Sequence, residues 1–287
     1  MLAGRDWDAV VDTSVIAPAH VAASAALLAG HVGHYTYVST LSVYPGRPRE
    51  PVTEDSATYD CPADAEGDLE SLGYGPLKSG SERAVAAAFP GRHLIVRPGL
   101  IAGPHDDVGR LPWWLARLAR GGRVLAPGDP GRPVRLTDAR DLAAWVLDSS
   151  RRGITGTVNV PGPRGGTFGQ LMDACLAAVA ATGATAAPAA ELVWAPDDVL
   201  LSAGVRPYTE LPMWTPDTPE LAGAWEASGD RARLAGLRYR PLADTVRDTW
   251  GWLAGHAAAE AKPIGDFAQR AGIGLDPVRE RAILAGL

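Results

Sequence analysis

The chain has 287 residues, 46% of them hydrophobic, and a formal net charge of −6. That is enough apolar material for one large α/β domain, or for a core domain with a smaller lobe. The acidic balance and the absence of any Lys/Arg block argue against a nucleic-acid surface. Cys61 and Cys175 match no metal or redox spacing, and the six histidines form no HxH or HExxH pattern, so no metal site is expected. The first residues lack an apolar run of signal-peptide type, and Gly183 and Pro188 break the Ala-rich stretch 174–190. A cytoplasmic protein without a membrane partner is the expectation.

In chain order, Trp7–Ser14 (WDAVVDTS) reads as a buried parallel strand, and His20 to Gly30 as an Ala-rich helix. Tyr35–Tyr44 is dense in β-branched and aromatic residues and reads as the next strand, ended by Pro45-Gly46. Arg47–Gly73 is a long Pro-, Asp- and Glu-rich excursion, of a length that inside compact domains tends to be functional. A helix follows from about Pro76 to Phe89, then a strand over His93–Gly103. Helix at Trp113–Arg120, strand at Pro133–Thr137 and helix at Leu142–Leu147, with Asp141 as N-cap, continue the alternation. Thr157–Val160 is a strand and Phe168–Ala181 a helix. Pro- and Trp-rich segments then lead to helices at Leu242–Leu253 and Pro277–Leu287.

Alternating strands and helices imply βαβ units and a parallel sheet. The change of texture near Pro161 divides a domain over 1–160 from a lobe over 161–287 that is interleaved with it. Ligands in such sheets sit beyond the carboxyl ends of the strands. Thr13–Ser14, Thr40–Ser42 and Pro98–Ile101 should therefore surround one crevice.

Tyr74 and Lys78 lie four apart at a helix start, YGPLK, and so share a face. A phenol is a poor base at neutral pH, but a nearby ammonium stabilises the phenolate. Such a tyrosine can exchange a proton with a carbonyl or an alcohol, while a hydroxyl such as that of Thr40 holds the substrate oxygen. Only Lys78 and Lys262 are lysines in a chain that otherwise uses arginine, which singles out the YGPLK position. His105-Asp106-Asp107 reads as a solvated turn, and Asp138, Arg140 and Asp141 as a strand-to-helix cap in preference to residues ordering the substrate crevice.

Taken together, YVSTLSVY, YGPLKSGSE, LIVRPGLIAGP and RLTDARDLA resemble, in order and spacing, the extended short-chain dehydrogenases/reductases. The resemblance runs from about Trp7 to about Trp252. It implies Thr40, Tyr74 and Lys78 as the catalytic set, with Lys78 also on the cofactor ribose. Thr13, Ser14, Pro98, Gly99 and Ile101 would lie along the cofactor, and Ser42, Trp114 and Trp214 toward substrate. Glu82 matches a common acid of the family or makes a solvated helix pair. The implied cofactor is NAD or NADP, unless this short form has lost it.

The front departs from that plan. About sixty residues, including the glycine-rich fingerprint, have no counterpart before WDAVVDTS. The glycines 162, 165, 166 and 169 have the wrong spacing to replace it. The expected fold is thus an incomplete doubly wound, Rossmann-like sheet with a smaller C-terminal substrate lobe. Either the start given lies downstream of the true one, or the chain is short and must cover an exposed edge with its own tail or another copy, as a homo-oligomer. Three functions remain open at this level: an NAD(P)-dependent oxidoreductase or epimerase on a small hydroxyl or ketone substrate, a cofactor-free isomerase or cyclase, and a non-catalytic sensor or scaffold.

Overall fold

The structure, a computed structural model, describes residues 5–46, 50–183, 188–260 and 272–287. β1 (Trp7–Asp12), α1 (Pro18–Leu28) and β2 (Val32–Val38) open the chain, and a 3₁₀ turn (Leu41–Val43) follows. α2 (Leu69–Leu72), α3 (Tyr74–Ala88), β3 (His93–Pro98), β4 (Leu100–Ala102) and α4 (Arg110–Ala119) come next. The chain continues through β5 (Gly122–Pro127), β6 (Leu136–Asp138), α5 (Ala139–Arg151), β7 (Gly156–Val160) and α6 (Phe168–Ala181). Beyond lie β8 (Ala190–Ala195), α7 (Asp197–Ser202), α8 (Asp230–Leu234), α9 (Leu242–Glu260) and α10 (Pro277–Ala285).

These elements form two compact units. The first comprises Met1–Leu100, Arg140–Gly162 and Glu226–Arg238; the second Ile101–Ala139, Pro163–Trp225 and Tyr239–Leu287. Residues 101–139, which the sequence boundary at 160 assigns to the first domain, cluster with the second unit.

The first unit is built on a parallel sheet in the order β1-β2-β3-β7. Its register sets Val10 beside Tyr35, Tyr37 beside Ile95 and Arg97 beside Asn159. This is an incomplete doubly wound α/β sheet, with β1 as one edge. Tyr35, Phe89, Val85 and Ile95 pack with Val21 and Leu28 of α1 into its core, where the rings of Tyr35 and Phe89 lie 4.9 Å apart. Full burial of each such side chain contributes roughly 1.5–3 kcal/mol. Gly80 lets α3 approach closely, since a Cβ there would lie 2.7 Å from both Pro18 Cγ and the Pro62 carbonyl oxygen.

In the second unit β5 pairs with β8 and β4 with β6, while α4, α6 and α9 enclose Trp114, Phe168 and Trp250. Trp114 meets both Trp113 and Phe168 edge-on, with ring centroids at 4.7 and 5.6 Å. α6 keeps the limits expected from sequence because Thr167 and Gln170 form a reciprocal capping box at its start.

Two expected strands are divided. Tyr35–Tyr44 stops as a strand at Val38, because the Thr40 side chain accepts the Ser42 N–H and turns the backbone into the 3₁₀ segment. His93–Gly103 breaks at Gly99, so that β3 and β4 join different sheets. β5 and β8 are not expected from the sequence at all. Among the described residues no helix is long and apolar enough to cross a membrane. Nor does any group of three or more His, Cys, Asp or Glu side chains there form a metal cluster.

Candidate active site

The site lies at the carboxyl ends of β1, β2 and β3 in the first unit, where a parallel sheet leaves its crevice. Tyr74 is the first residue of α3, 40% exposed, and Lys78 follows one turn later, 2% exposed. Gly75 brings the start of this helix against the 3₁₀ segment: a Cβ there would fall inside contact distance of the Ser42 carbonyl oxygen and the Tyr59 ring. Thr40 and Ser42 are thereby brought to the helix end that carries Tyr74. The Thr40 oxygen accepts the Ser42 N–H at 3.1 Å, which leaves its own O–H to donate.

Lys78 holds the strand ends together. Its Nζ donates to the main-chain oxygens of Ser14 and Val38, both at 2.7 Å, and stands 4.6 Å from the centre of the Tyr37 ring. Burial pulls the ammonium down to about 8, against the opposing pull of the Asp12 and Glu82 carboxylates. Asp12 closes β1 by accepting the Ser14 N–H at 2.7 Å and the Tyr35 hydroxyl at 2.6 Å. Burial, then the hydrogen bond to Asp12, raises the Tyr35 phenol far above its ordinary range, and burial raises Tyr37 likewise. Neither phenol can serve as a base here. The Ser14 Oγ is buried without a hydrogen-bond partner among the described residues, while Thr13 beside it is exposed.

Beneath these groups runs a charged network. Arg97 grips Glu82 through two hydrogen bonds of 2.9 and 2.6 Å, and Ser39 donates to the same carboxylate at 2.5 Å. Arg97 also donates to the Tyr44 hydroxyl at 2.7 Å, which in turn donates to Asn159 Oδ1 at 2.8 Å. The solvated Lys78–Glu82 helix pair that the spacing allows is thus not what forms: Glu82 is buried and spent on Arg97. Asp12, Arg97 and Asn159 carry no family motif, although Arg97 has a readable signal. A charge inside the apolar run LIVRPG must find a partner or cost several kcal/mol.

The remaining site candidates separate. Pro98 and Gly99 lie at the end of β3, where the Gly99 N–H donates to the Val160 oxygen at 2.9 Å. A Cβ at Gly99 would meet Pro161 and the Leu41 side chain at 3.3–3.4 Å, so the backbone runs close there. Ile101 belongs to the second unit and is exposed. Trp114 and Trp214, placed toward substrate by the resemblance, are instead core residues of that unit. Both are fully buried, and their indole N–H groups are taken by the Pro212 oxygen at 2.8 Å and by Asp197 at 2.9 Å. The His105–Asp107 turn is not simply solvated either. Asp106 accepts the N–H groups of Val108 and Gly109, both at 3.1 Å, and burial raises its carboxyl. Asp138 is buried and accepts the Thr245 hydroxyl at 2.8 Å, which ties β6 to α9.

No protein-family model matches the sequence, and neither does any curated protein. Solved structures do. The UDP-N-acetylglucosamine 4-epimerase of Methanobrevibacter ruminantium, solved with UDP-N-acetylmuramic acid, aligns with a TM-score of 0.59 at 13% identity, over 88% of this chain and 78% of its own. The Bordetella bronchiseptica enzyme WbmG, solved with NAD and UDP, gives 0.56 at 19% identity over 89% and 74%. This chain has a Rossmann-like fold. The UDP-glucuronic acid 4-epimerase of Bacillus cereus, solved with NAD, gives 0.52 at 14% identity over 83% of this chain and 66% of its own, so the chain spans about two thirds of that enzyme's length. The likeness to extended short-chain dehydrogenases/reductases therefore stands at the level of the fold.

Only half of a dinucleotide finds matching residues here. The Ser14 Oγ, buried without a hydrogen-bond partner among the described residues, and the close backbone at Gly99 are the groups that would meet a nicotinamide–ribose end. The β1–α1 turn offers no pyrophosphate seat. The turn from β1 into α1 contains no glycine, and the first-turn amide of Ala19 is occupied by the Ala65 oxygen at 3.1 Å.

Proposed function

We propose that this chain is an oxidoreductase or epimerase-like enzyme that acts on a hydroxyl or ketone of a small, nucleotide-sugar-like substrate, with NAD or NADP as its cofactor. The observation that carries the reading is the start of α3: an exposed Tyr74 one turn ahead of a buried Lys78 ammonium, packed against the Thr40–Ser42 segment. The NAD and UDP ligands of the fold neighbours favour the same class.

In this reading the Thr40 hydroxyl donates to the substrate oxygen and fixes it beside Tyr74. Tyr74 gives its proton to a carbonyl oxygen, or takes one from an alcohol. The Lys78 charge stabilises the phenolate. A bound nicotinamide would supply or accept the hydride. The β1–α1 turn lacks a glycine-rich phosphate seat, so in this reading the chain alone should bind NAD weakly.

That same shortfall favours a second reading, in which Tyr74 and Thr40 catalyse an isomerisation without a cofactor. One experiment separates the two: turnover of UDP-sugars by the wild type and Tyr74→Phe, with and without NAD. Tyr74→Phe should lower kcat by roughly 10²–10⁴-fold with little change in KM. Near-native kcat in the variant would remove Tyr74 from either reading, whereas turnover that needs no NAD would select the second.

A further inference from the structure

Between the end of α4 and α10, within the second unit, lies a cavity of about 580 Å³. Known small-molecule sites span about 300–1,000 Å³, so this one could take a metabolite. Gly121 and Gly122, both at φ +69°, turn the chain from α4 back into β5 and form one wall. The residues that line it include Arg117, Arg120, Arg123, Arg281, Glu280 and Leu284.

The charge in this cavity is not balanced. Glu280 is its single carboxylate among the described residues and is already committed: it accepts Arg117 Nε at 2.8–2.9 Å and the Leu125 N–H at 3.1 Å. Arg117 spends its other nitrogens on the oxygens of Gly121 and Arg123, at 3.1 and 2.6 Å, and Arg123 reaches the Leu284 oxygen at 2.8 Å. These bonds build a rigid wall from two of the four guanidiniums. Arg120 and Arg281 remain, both exposed, and neither has a hydrogen bond or ion pair among the described residues. Partial burial of the guanidinium, then the adjacent Arg117 charge, holds Arg120 below the usual arginine range, against the pull of Glu280.

Four cations around one spent carboxylate are unusual in a chain of net charge −6. Like charges gathered about a concave surface raise its potential and draw in a counter-ion. A guanidinium is the side chain best matched to a phosphate, since its planar fork bonds two oxygens at once. Two such forks suit a dianion better than a single carboxylate.

We propose that this cavity binds a small phosphorylated molecule, its phosphate held by Arg120 and Arg281 and its organic part against Leu284. The proposal is independent of the chemistry assigned to Tyr74.

The test is calorimetry of the full chain at low salt with pyrophosphate and, separately, with inorganic phosphate. Pyrophosphate should bind one to one, and the double variant Arg120→Ala/Arg281→Ala should weaken it at least about tenfold. Both side chains are exposed and neither has a hydrogen bond or ion pair among the described residues, so the variant should melt with the wild type, and a thermal scan checks this. Arg120→Lys/Arg281→Lys keeps the charge without the fork and should fall between the two. No binding of pyrophosphate by the wild type up to millimolar concentration, or equal affinity in the alanine double variant, would overturn the proposal.

Discussion

The two edges of the first unit's sheet are unlike. On one side β7 is sealed: Val160 is 0% exposed, α8 packs against the strand, and the outward Asn159 N–H donates to the Glu54 carboxylate at 2.9 Å. Arg231 holds that carboxylate in turn at 3.4 Å. On the other side β1 shows Trp7 and Val11, 39% and 38% exposed, and no described residue pairs with its free side. Its acidic residues, Asp8 and Asp12, are the kind of charge that blunts an edge. Its carboxyl end is tied by Lys78 through the Ser14 oxygen and by Tyr35 through the Asp12 carboxylate. Burial and charge pairing in this unit are thus concentrated on the β7 side, and the proposed chemistry lies toward the more exposed β1 side.

The sharpest way to break this contrast is at Arg97. Arg97→Ala would strand the Glu82 charge in the interior and should cost about 3–5 kcal/mol, read as a lower urea midpoint. A cost below about 1 kcal/mol would mean that the sealed side is no more strongly loaded than the open one.

The open side responds to pH through Lys78. Its ammonium titrates near 8 when folded, against about 10.4 when unfolded. Between those values the unfolded chain holds the extra proton, so stability should rise as pH climbs through that window, by up to about 3 kcal/mol. Lys78→Met should remove that slope, and wild-type and variant unfolding curves at pH 7 and pH 10 measure it. Parallel pH dependence in the two proteins would mean that Lys78 keeps an ordinary pKa.

The smallest effect belongs to the bare edge. Val11→Lys puts a charge where the side chain is already in water and should shift stability by no more than about 0.5 kcal/mol. A melting temperature lowered by many degrees would show that β1 is covered after all.

Much of both units was readable from the amino acids because the signals are local. Apolar runs mark β1 and β3, and the four-residue spacing of Tyr74 and Lys78 puts them on one helical face whatever surrounds them. The capping pair Thr167 and Gln170 likewise starts α6 without help from distant residues. Other features depend on neighbours remote in sequence. LIVRPGLIAG is one apolar run, yet β3 and β4 part because their partners lie in different sheets. β5 and β8 are short runs that become strands by pairing with each other across more than sixty residues. Trp114 and Trp214 read equally well as core or as ligand contacts until Pro212 and Asp197 are seen to take their N–H groups. The same holds for Glu82, since helical periodicity gives its face and only the fold brings Arg97 of β3 to meet it. Helix period is set within a turn of chain, so the sequence alone determined it, whereas Asp141, expected as an N-cap, falls inside the first turn of α5. Burial and charge pairing depend on which distant segments arrive, and that was decided only when the sheet assembled.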